Sequence, residues 1–188
     1  AYSDLACRAA FPDYEPLPCA TFDEAFAAVR DKRATLAMIP VENSVAGRVA
    51  AAYYLLPGCG LYIIDEYYQP VEHHLLALPN ATLADIKKVH SHVHALPQCR
   101  QFLRAHNILP IVRPDTAGSA EEVAKLGDVS IAAIASKLAG ELYGLKSIAA
   151  NIADKPGNTT RCLVLSRTPQ RPKVGDGRCV TTLIYRVR

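Results

Sequence analysis

The middle of the chain alternates short apolar runs with segments of helical character, and this restricts the fold more than any other feature. Residues 34–41 read as a buried strand, followed by the turn Glu42-Asn43-Ser44 and a helix over 48–56 that Pro57-Gly58 stops. Residues 88–91 are a second strand, leading to a helix from Gln98 to His106 with Pro97 in its first turn. The third strand spans 110–113 and precedes a helix near Ser119 to Leu126, where Ser119 and Glu122 have capping-box spacing. The fourth spans 130–135, after which Ser136 caps a helix that runs to Tyr143 and ends at Gly144. Repetition of this kind predicts an α/β fold with mainly parallel sheets.

Two further apolar stretches, 61–66 and 71–78, read as long strands crossing between two lobes, with a return near 151–154. Two lobes with a cleft between them follow from that path. In parallel α/β folds ligands gather beyond the C-terminal ends of the strands. All four strand-to-helix junctions carry small polar residues there: Glu42-Asn43-Ser44, Ser91-His92, Asp115-Thr116 and Ser136. Backbone N–H groups at such helix starts suit a carboxylate or phosphate, although these residue types are also ordinary N-caps. Neither GxxxxGK[ST] nor GxGxxG occurs, which disfavours a nucleotide.

Lysine and arginine are scattered and the net charge is only +3, so no nucleic-acid footprint is expected. No apolar run approaches the roughly 20 residues that span a bilayer. The six cysteines show no CxxC spacing and read mostly as buried thiols of a reducing cytoplasm. Cys99 and Cys162 are accordingly expected to be inert. His90, His92 and His94 alternate, so on a continuing strand they would share a face fit for zinc. Against a metal, the run passes into Ala95-Leu96-Pro97, where a strand must break. His73-His74 reads as strand surface, with one ring turned inward as the alternative. Near the end, Asn158-Thr159-Thr160-Arg161-Cys162 enters the strand-like run Leu163-Val164-Leu165 and sets a hydroxyl beside a cation.

In order along the chain stand Ala1-Tyr2-Ser3, Pro40-Val41-Glu42-Asn43-Ser44-Val45-Ala46-Gly47, Ser91-His92 with Gln98-Cys99, Thr116-Ala117, Tyr143-Gly144-Leu145 and Asn158-Thr159-Thr160-Arg161. This series resembles the prephenate dehydratase family over about residues 1–168. The resemblance implies an α/β fold of two Rossmann-like lobes with a central cleft, like type-2 periplasmic binding proteins. Lobe 1 is expected at about 1–72 and 153–168, and lobe 2 at about 73–152. It implies a lyase that converts prephenate to phenylpyruvate, water and carbon dioxide, with no cofactor and no metal. Thr160 is then the catalytic hydroxyl, and Glu42, Asn43, Ser44, Ser91, His92, Gln98, Thr116, Ala117 and Arg161 bind substrate. If a strand already begins at Thr160, however, Thr160 and Arg161 point to opposite faces, and Arg161 serves substrate only at the strand's end.

The chain departs from the family pattern where Cys162 replaces Phe, Val93-His94 replaces Pro-Gln and Asp115 replaces Ser. It also starts at the Tyr-Ser element, which is read as trimming. Residues 169–179 form a linker rich in Pro, Gly and charge, and 180–188 resemble the first strand of an ACT regulatory domain. Phenylalanine as an allosteric effector and a homo-oligomer, dimer or tetramer, are expectations of that resemblance. Neither a nucleic-acid nor a membrane partner is expected. Two other readings stay open: a non-catalytic anion sensor of the same fold, and an arogenate dehydratase. A metal enzyme built on the three alternating histidines is a third.

Overall fold

The computed structural model describes residues 2–173, 175, 177 and 179–182; the strand expected over 180–188 lies largely outside them. In chain order the elements are α1 (Tyr2–Ala10), α2 (Phe22–Arg30), β1 (Leu36–Asn43), β2 (Gly47–Arg48), α3 (Ala50–Leu55), β3 (Tyr62–Pro70), β4 (His74–Ala77) and β5 (Lys88–His92). There follow α4 (Arg100–Ala105), β6 (Leu109–Arg113), α5 (Thr116–Leu126), β7 (Ile131–Ala135), α6 (Lys137–Tyr143), β8 (Lys146–Ala149) and β9 (Thr159–Ser166). They form two compact units, one of Ala1–Leu5 with Pro70–Thr159 and one of Ala6–Gln69 with Thr160–Arg188. The first residues thus belong with Pro70–Thr159 rather than with lobe 1, because the Tyr2 hydroxyl donates to Glu72 O at 2.7 Å. Among the described residues no helix is long and apolar enough to cross a membrane.

The Pro70–Thr159 segment is built on a five-stranded sheet in the order β6-β5-β7-β4-β8. Strand β5 runs parallel to β6 and β7, but β4 is antiparallel to both β7 and β8. The expectation of mainly parallel sheets is therefore corrected to a mixed sheet here. Strand β4 enters as the continuation of a crossing segment, not from a helix, and nothing obliges it to run parallel. Strand β7 shows why this sheet lies in the middle. Its side chains alternate, Ala132 and Ile134 packing with Leu75, Val89 and Leu103, and Ala133 and Ala135 with Leu76, Val123 and Ala139. With both faces covered, a run of small and branched apolar residues is what burial selects. On the second face α6 comes so close that a Cβ on Gly140 would stand 2.9 Å from Leu76 Cδ2. Glycine permits that approach.

Helix starts and stops follow local chemistry. Ser136 caps α6 as expected, its Oγ accepting from Ala139 N at 3.3 Å, and Gly144 ends it at φ +69°. Helix α5 starts earlier than expected. Asp115 caps it, Oδ1 accepting from Gly118 N at 2.7 Å, while the Ser119 hydroxyl donates back to Asp115 O. The Ser119–Glu122 capping box does not form, because Glu122 is drawn to Arg113 and His90 instead. Gln98 lies not in a helix but in the 3-10 turn Leu96–Cys99 that precedes α4.

The second unit holds a four-stranded sheet in the order β2-β1-β9-β3. Strand β1 is antiparallel to β2 and β9, again correcting the expectation of parallel pairing. Ala37, Ile39 and Val41 alternate into a core with Phe26, Val29, Leu163 and Leu165. Pro40 lies in this central strand, where it has no N–H to give. The register shifts just there: Pro40 pairs with Cys162, but Glu42 pairs with Arg161 and Asn43 with Thr160. One extra residue on β1 forms a bulge, the usual way a sheet absorbs an internal proline.

Candidate active site

On the Thr160–Arg188 unit, the bulge sets Asn43 directly opposite Thr160, so their side chains share a face. Asn43 Nδ2 donates to Thr160 Oγ1 at 3.0 Å. Asn43 is itself held by its turn, Oδ1 accepting from Val45 N at 3.0 Å and from Ala46 N at 2.8 Å. Two backbone donors on the carbonyl oxygen polarise the amide, which strengthens its N–H groups as donors. A hydroxyl has one proton and two lone pairs. By accepting from Asn43, Thr160 keeps its proton for some other oxygen. Glu42 and Ser44 flank this pair and are exposed.

Arg161 lies across from Glu42, on the other face from Thr160. Its Nε and Nη2 both reach Glu66 Oε2, at 2.8 and 2.6 Å, and both side chains are less than a quarter exposed. Burial is the largest single effect and opposes its charge, but the hydrogen bond and charge of Glu66, with Tyr68 and Tyr53, together outweigh it and raise the guanidinium pKa. Thr160 and Arg161 are adjacent in sequence yet have different partners, Asn43 and Glu66.

On the Pro70–Thr159 unit the expected residues divide by accessibility. Ser91 is 0% exposed and its hydroxyl donates to Ile134 O at 2.6 Å. That bond ties the end of β5 to β7. His92 is half-buried, and its Nδ1 accepts from His94 N at 3.2 Å. Burial, and then His94, lower its pKa, so the ring is neutral with its proton on Nε2, a donor. Thr116 and Ala117 begin α5, whose first turn Asp115 already caps with a carboxylate. At these two junctions Asp115 caps Gly118 N and Ser136 caps Ala139 N.

Gln98 is the hub of a cluster that includes residues outside the expected set. Its Oε1 accepts from Asn158 Nδ2 at 2.6 Å and stands 3.3 Å from His73 Nε2, while Nε2 donates to His94 O at 2.7 Å. His73 Nδ1 in turn meets the Tyr2 hydroxyl at 2.9 Å. His73 and His74 are 2% and 7% exposed, so they are core residues and not strand surface. The apolar run after them was the available signal. Burial lowers the pKa of both.

The three alternating histidines do not act together. His90 Nδ1 faces Glu122 Oε2 at 3.0 Å, and β5 ends at His92. Among the described residues no group of three or more His, Cys, Asp or Glu side chains is placed to hold a metal ion. Burial pushes the Cys99 and Cys162 thiols up to about 12, which leaves neither as a thiolate nucleophile.

This fold is that of solved prephenate dehydratases: the structure from Arthrobacter aurescens, in complex with L-Phe, matches at TM-score 0.84 and 33% identity, covering 92% of this chain and 59% of that one. The family model for prephenate dehydratase matches residues 1–170, and the chain belongs to that family. A Komagataeibacter europaeus protein described as a bifunctional N-acyl-homoserine lactone acylase/prephenate dehydratase is 48% identical over the whole chain, which covers 66% of that protein. An Arabidopsis thaliana arogenate dehydratase/prephenate dehydratase, chloroplastic, is 42% identical over 98% of the chain and 47% of that protein. The chain therefore spans about half to two thirds of the length of these relatives.

Proposed function

We propose that the chain catalyses the decarboxylating dehydration of prephenate to phenylpyruvate. The observation that carries this reading is the Asn43–Thr160 hydrogen bond, in a chain of this family. The ring carboxylate of prephenate supplies electrons as it leaves as carbon dioxide, and the ring hydroxyl accepts them as it leaves as water. The reaction is redox-neutral, so the protein's task is to protonate or strongly hydrogen-bond the departing oxygen. Thr160 takes that role. Asn43 fills a lone pair of its Oγ1, aims the O–H outward and stabilises the charge left on the oxygen.

The remaining roles follow the chemistry of a dianion. His92 offers an Nε2–H, Gln98 an amide N–H, and Thr116 and Ala117 the start of a helix. Glu42 and Ser44 flank Thr160 on its own unit. Arg161 points to the other face of β9 with its Nε edge held by Glu66, so its remaining Nη1 reaches a carboxylate only past the strand's end. Arogenate undergoes the same elimination with an amine in place of the keto group, and the names of the plant relatives favour testing it in parallel. Amide cleavage of an N-acyl-homoserine lactone is a second activity to assay, on the name of the Komagataeibacter relative. Phenylalanine as effector, through an ACT-like domain starting near residue 180, is proposed on the L-Phe complex of the Arthrobacter protein.

The test is Thr160→Val, which keeps the shape and removes the hydroxyl. Phenylpyruvate formation should fall at least about 100-fold while prephenate binding stays within about threefold. Turnover at the wild-type rate would sink the mechanism, and a chain that only binds prephenate would establish a sensor.

A further inference from the structure

We propose that His73, backed by Tyr2, is a positioning residue that locks the Gln98 carboxamide with its NH2 group as the substrate-facing donor. This rests on the dehydratase reading and on Gln98 as a substrate contact. An amide oxygen accepts two hydrogen bonds and an amide nitrogen donates two. Both acceptor positions of Gln98 Oε1 are filled, by Asn158 Nδ2 at 2.6 Å and by His73 Nε2 at 3.3 Å. One N–H goes to His94 O at 2.7 Å, and the other remains for a ligand. Gln98 itself is half-buried, whereas His73 and Asn158 are buried, so the amide is the side of this cluster that a solute can reach.

The direction of the protons follows from the acceptors. Gln98 Oε1 cannot donate, so the contact to His73 requires a proton on Nε2. Burial keeps the ring neutral, and Nδ1 is then an acceptor for the Tyr2 hydroxyl at 2.9 Å. That hydroxyl also lies 2.7 Å from Glu72 O, so its single proton is shared between two acceptors. The Tyr2 ring stands edge-on to the imidazole, with centroids 5.7 Å apart at 77°, and fixes its plane. The chain of donors therefore runs from Tyr2 to His73 to Gln98. A rotated carboxamide would set its NH2 against the NH2 of Asn158 and its oxygen against His94 O, two repulsive contacts.

The experiment compares the chain with His73→Leu, His73→Gln, Tyr2→Phe and Gln98→Leu, in steady-state turnover of prephenate and of arogenate. His73→Leu should raise KM about tenfold with kcat changed less than about threefold, and His73→Gln, which keeps an N–H near Nε2, should return KM to within about threefold of wild type. The double variant His73→Leu with Gln98→Leu should bind no worse than Gln98→Leu alone. Tyr2→Phe, which leaves the buried imidazole in place, should raise KM about threefold and guards against a His73→Leu variant that does not fold. A Gln98→Leu effect on KM with none from His73→Leu or Tyr2→Phe overturns the inference, as does a His73→Gln variant as impaired as His73→Leu. A wild-type chain that turns over neither substrate overturns the dehydratase reading, and this inference with it.

Discussion

Replacing Asn43 by aspartate changes one heavy atom, Nδ2 to oxygen, and separates the turn from the chemistry. The aspartate keeps an oxygen where Asn43 Oδ1 accepts from Val45 N and Ala46 N, so the turn survives. At the other position an acceptor replaces the Nδ2 that lies 3.0 Å from Thr160 Oγ1. The threonine proton is then drawn into the carboxylate, and the oxygen loses its stabilising donor just as it gains charge. Removing one such donor costs about 2.7–4 kcal/mol, or 10²–10³ in kcat. Because the new carboxylate also competes for the proton, Asn43→Asp should sit near the lower limit of activity, about 10³ below wild type. Asn43→Ala is the control. It loses the turn acceptors, at about 1–2 kcal/mol of stability, yet leaves the Thr160 proton uncommitted. Phenylpyruvate formation at saturating prephenate, with denaturant unfolding of each variant, reads both effects. Asn43→Asp that folds normally and keeps kcat within about tenfold of wild type would refute the role of this hydrogen bond.

Three further outcomes test the fold. The folded state refuses protons at the buried His73 and His74 that the unfolded chain accepts near pH 6.5, so stability is present above about that pH and falls below it; His74→Asn should flatten that slope in urea midpoints at pH 7.5 and 5.5. The Arg113 hydrogen bond is the largest effect on the Glu122 carboxyl; burial opposes it, and the contacts with His90 help Arg113 hold the group below the usual range. Its contribution is present above about pH 4.3 and lost as pH falls through the folded value, so Glu122→Gln should cost up to about 1 kcal/mol at pH 7 and progressively less as the solution is acidified below about pH 4.3. In native protein a thiol reagent should modify the exposed Cys179 rapidly and Cys59, Cys99 and Cys162 only on unfolding; prompt labelling of Cys162 would contradict its burial at 1% exposure.

Local signals were legible where a residue answers to its neighbours in the chain. Ser136 and Gly144 bound a helix whatever surrounds it, and the alternation in Ile131–Ala135 marks a strand covered on both faces. The Ser119–Glu122 pattern misled because its glutamate had a stronger partner in Arg113, nine residues earlier and on another element. His73 and His74 read as surface because two imidazoles in a row look polar. Gln98 and Ser147, 25 and 73 residues away, supply the hydrogen bonds that let both rings be buried. Parallel pairing was inferred from alternation, but β4 and β9 arrive from crossing segments, and their direction is decided by where the chain returns.

The sequence alone determined the residue types and their order: a hydroxyl beside a cation at Thr160-Arg161, an asparagine in the turn after a strand, and the motif series of one family. It also raised the contradiction that neighbours in a strand point apart. The tertiary structure decided how that is resolved, giving Thr160 to Asn43 across 117 residues and Arg161 to Glu66 across 95. The reason is register. Which side chains face each other depends on how two strands are aligned, and the bulge beyond Pro40 shifts that alignment by one residue. A proline in one strand is visible in the sequence; the partner strand that must absorb it is not.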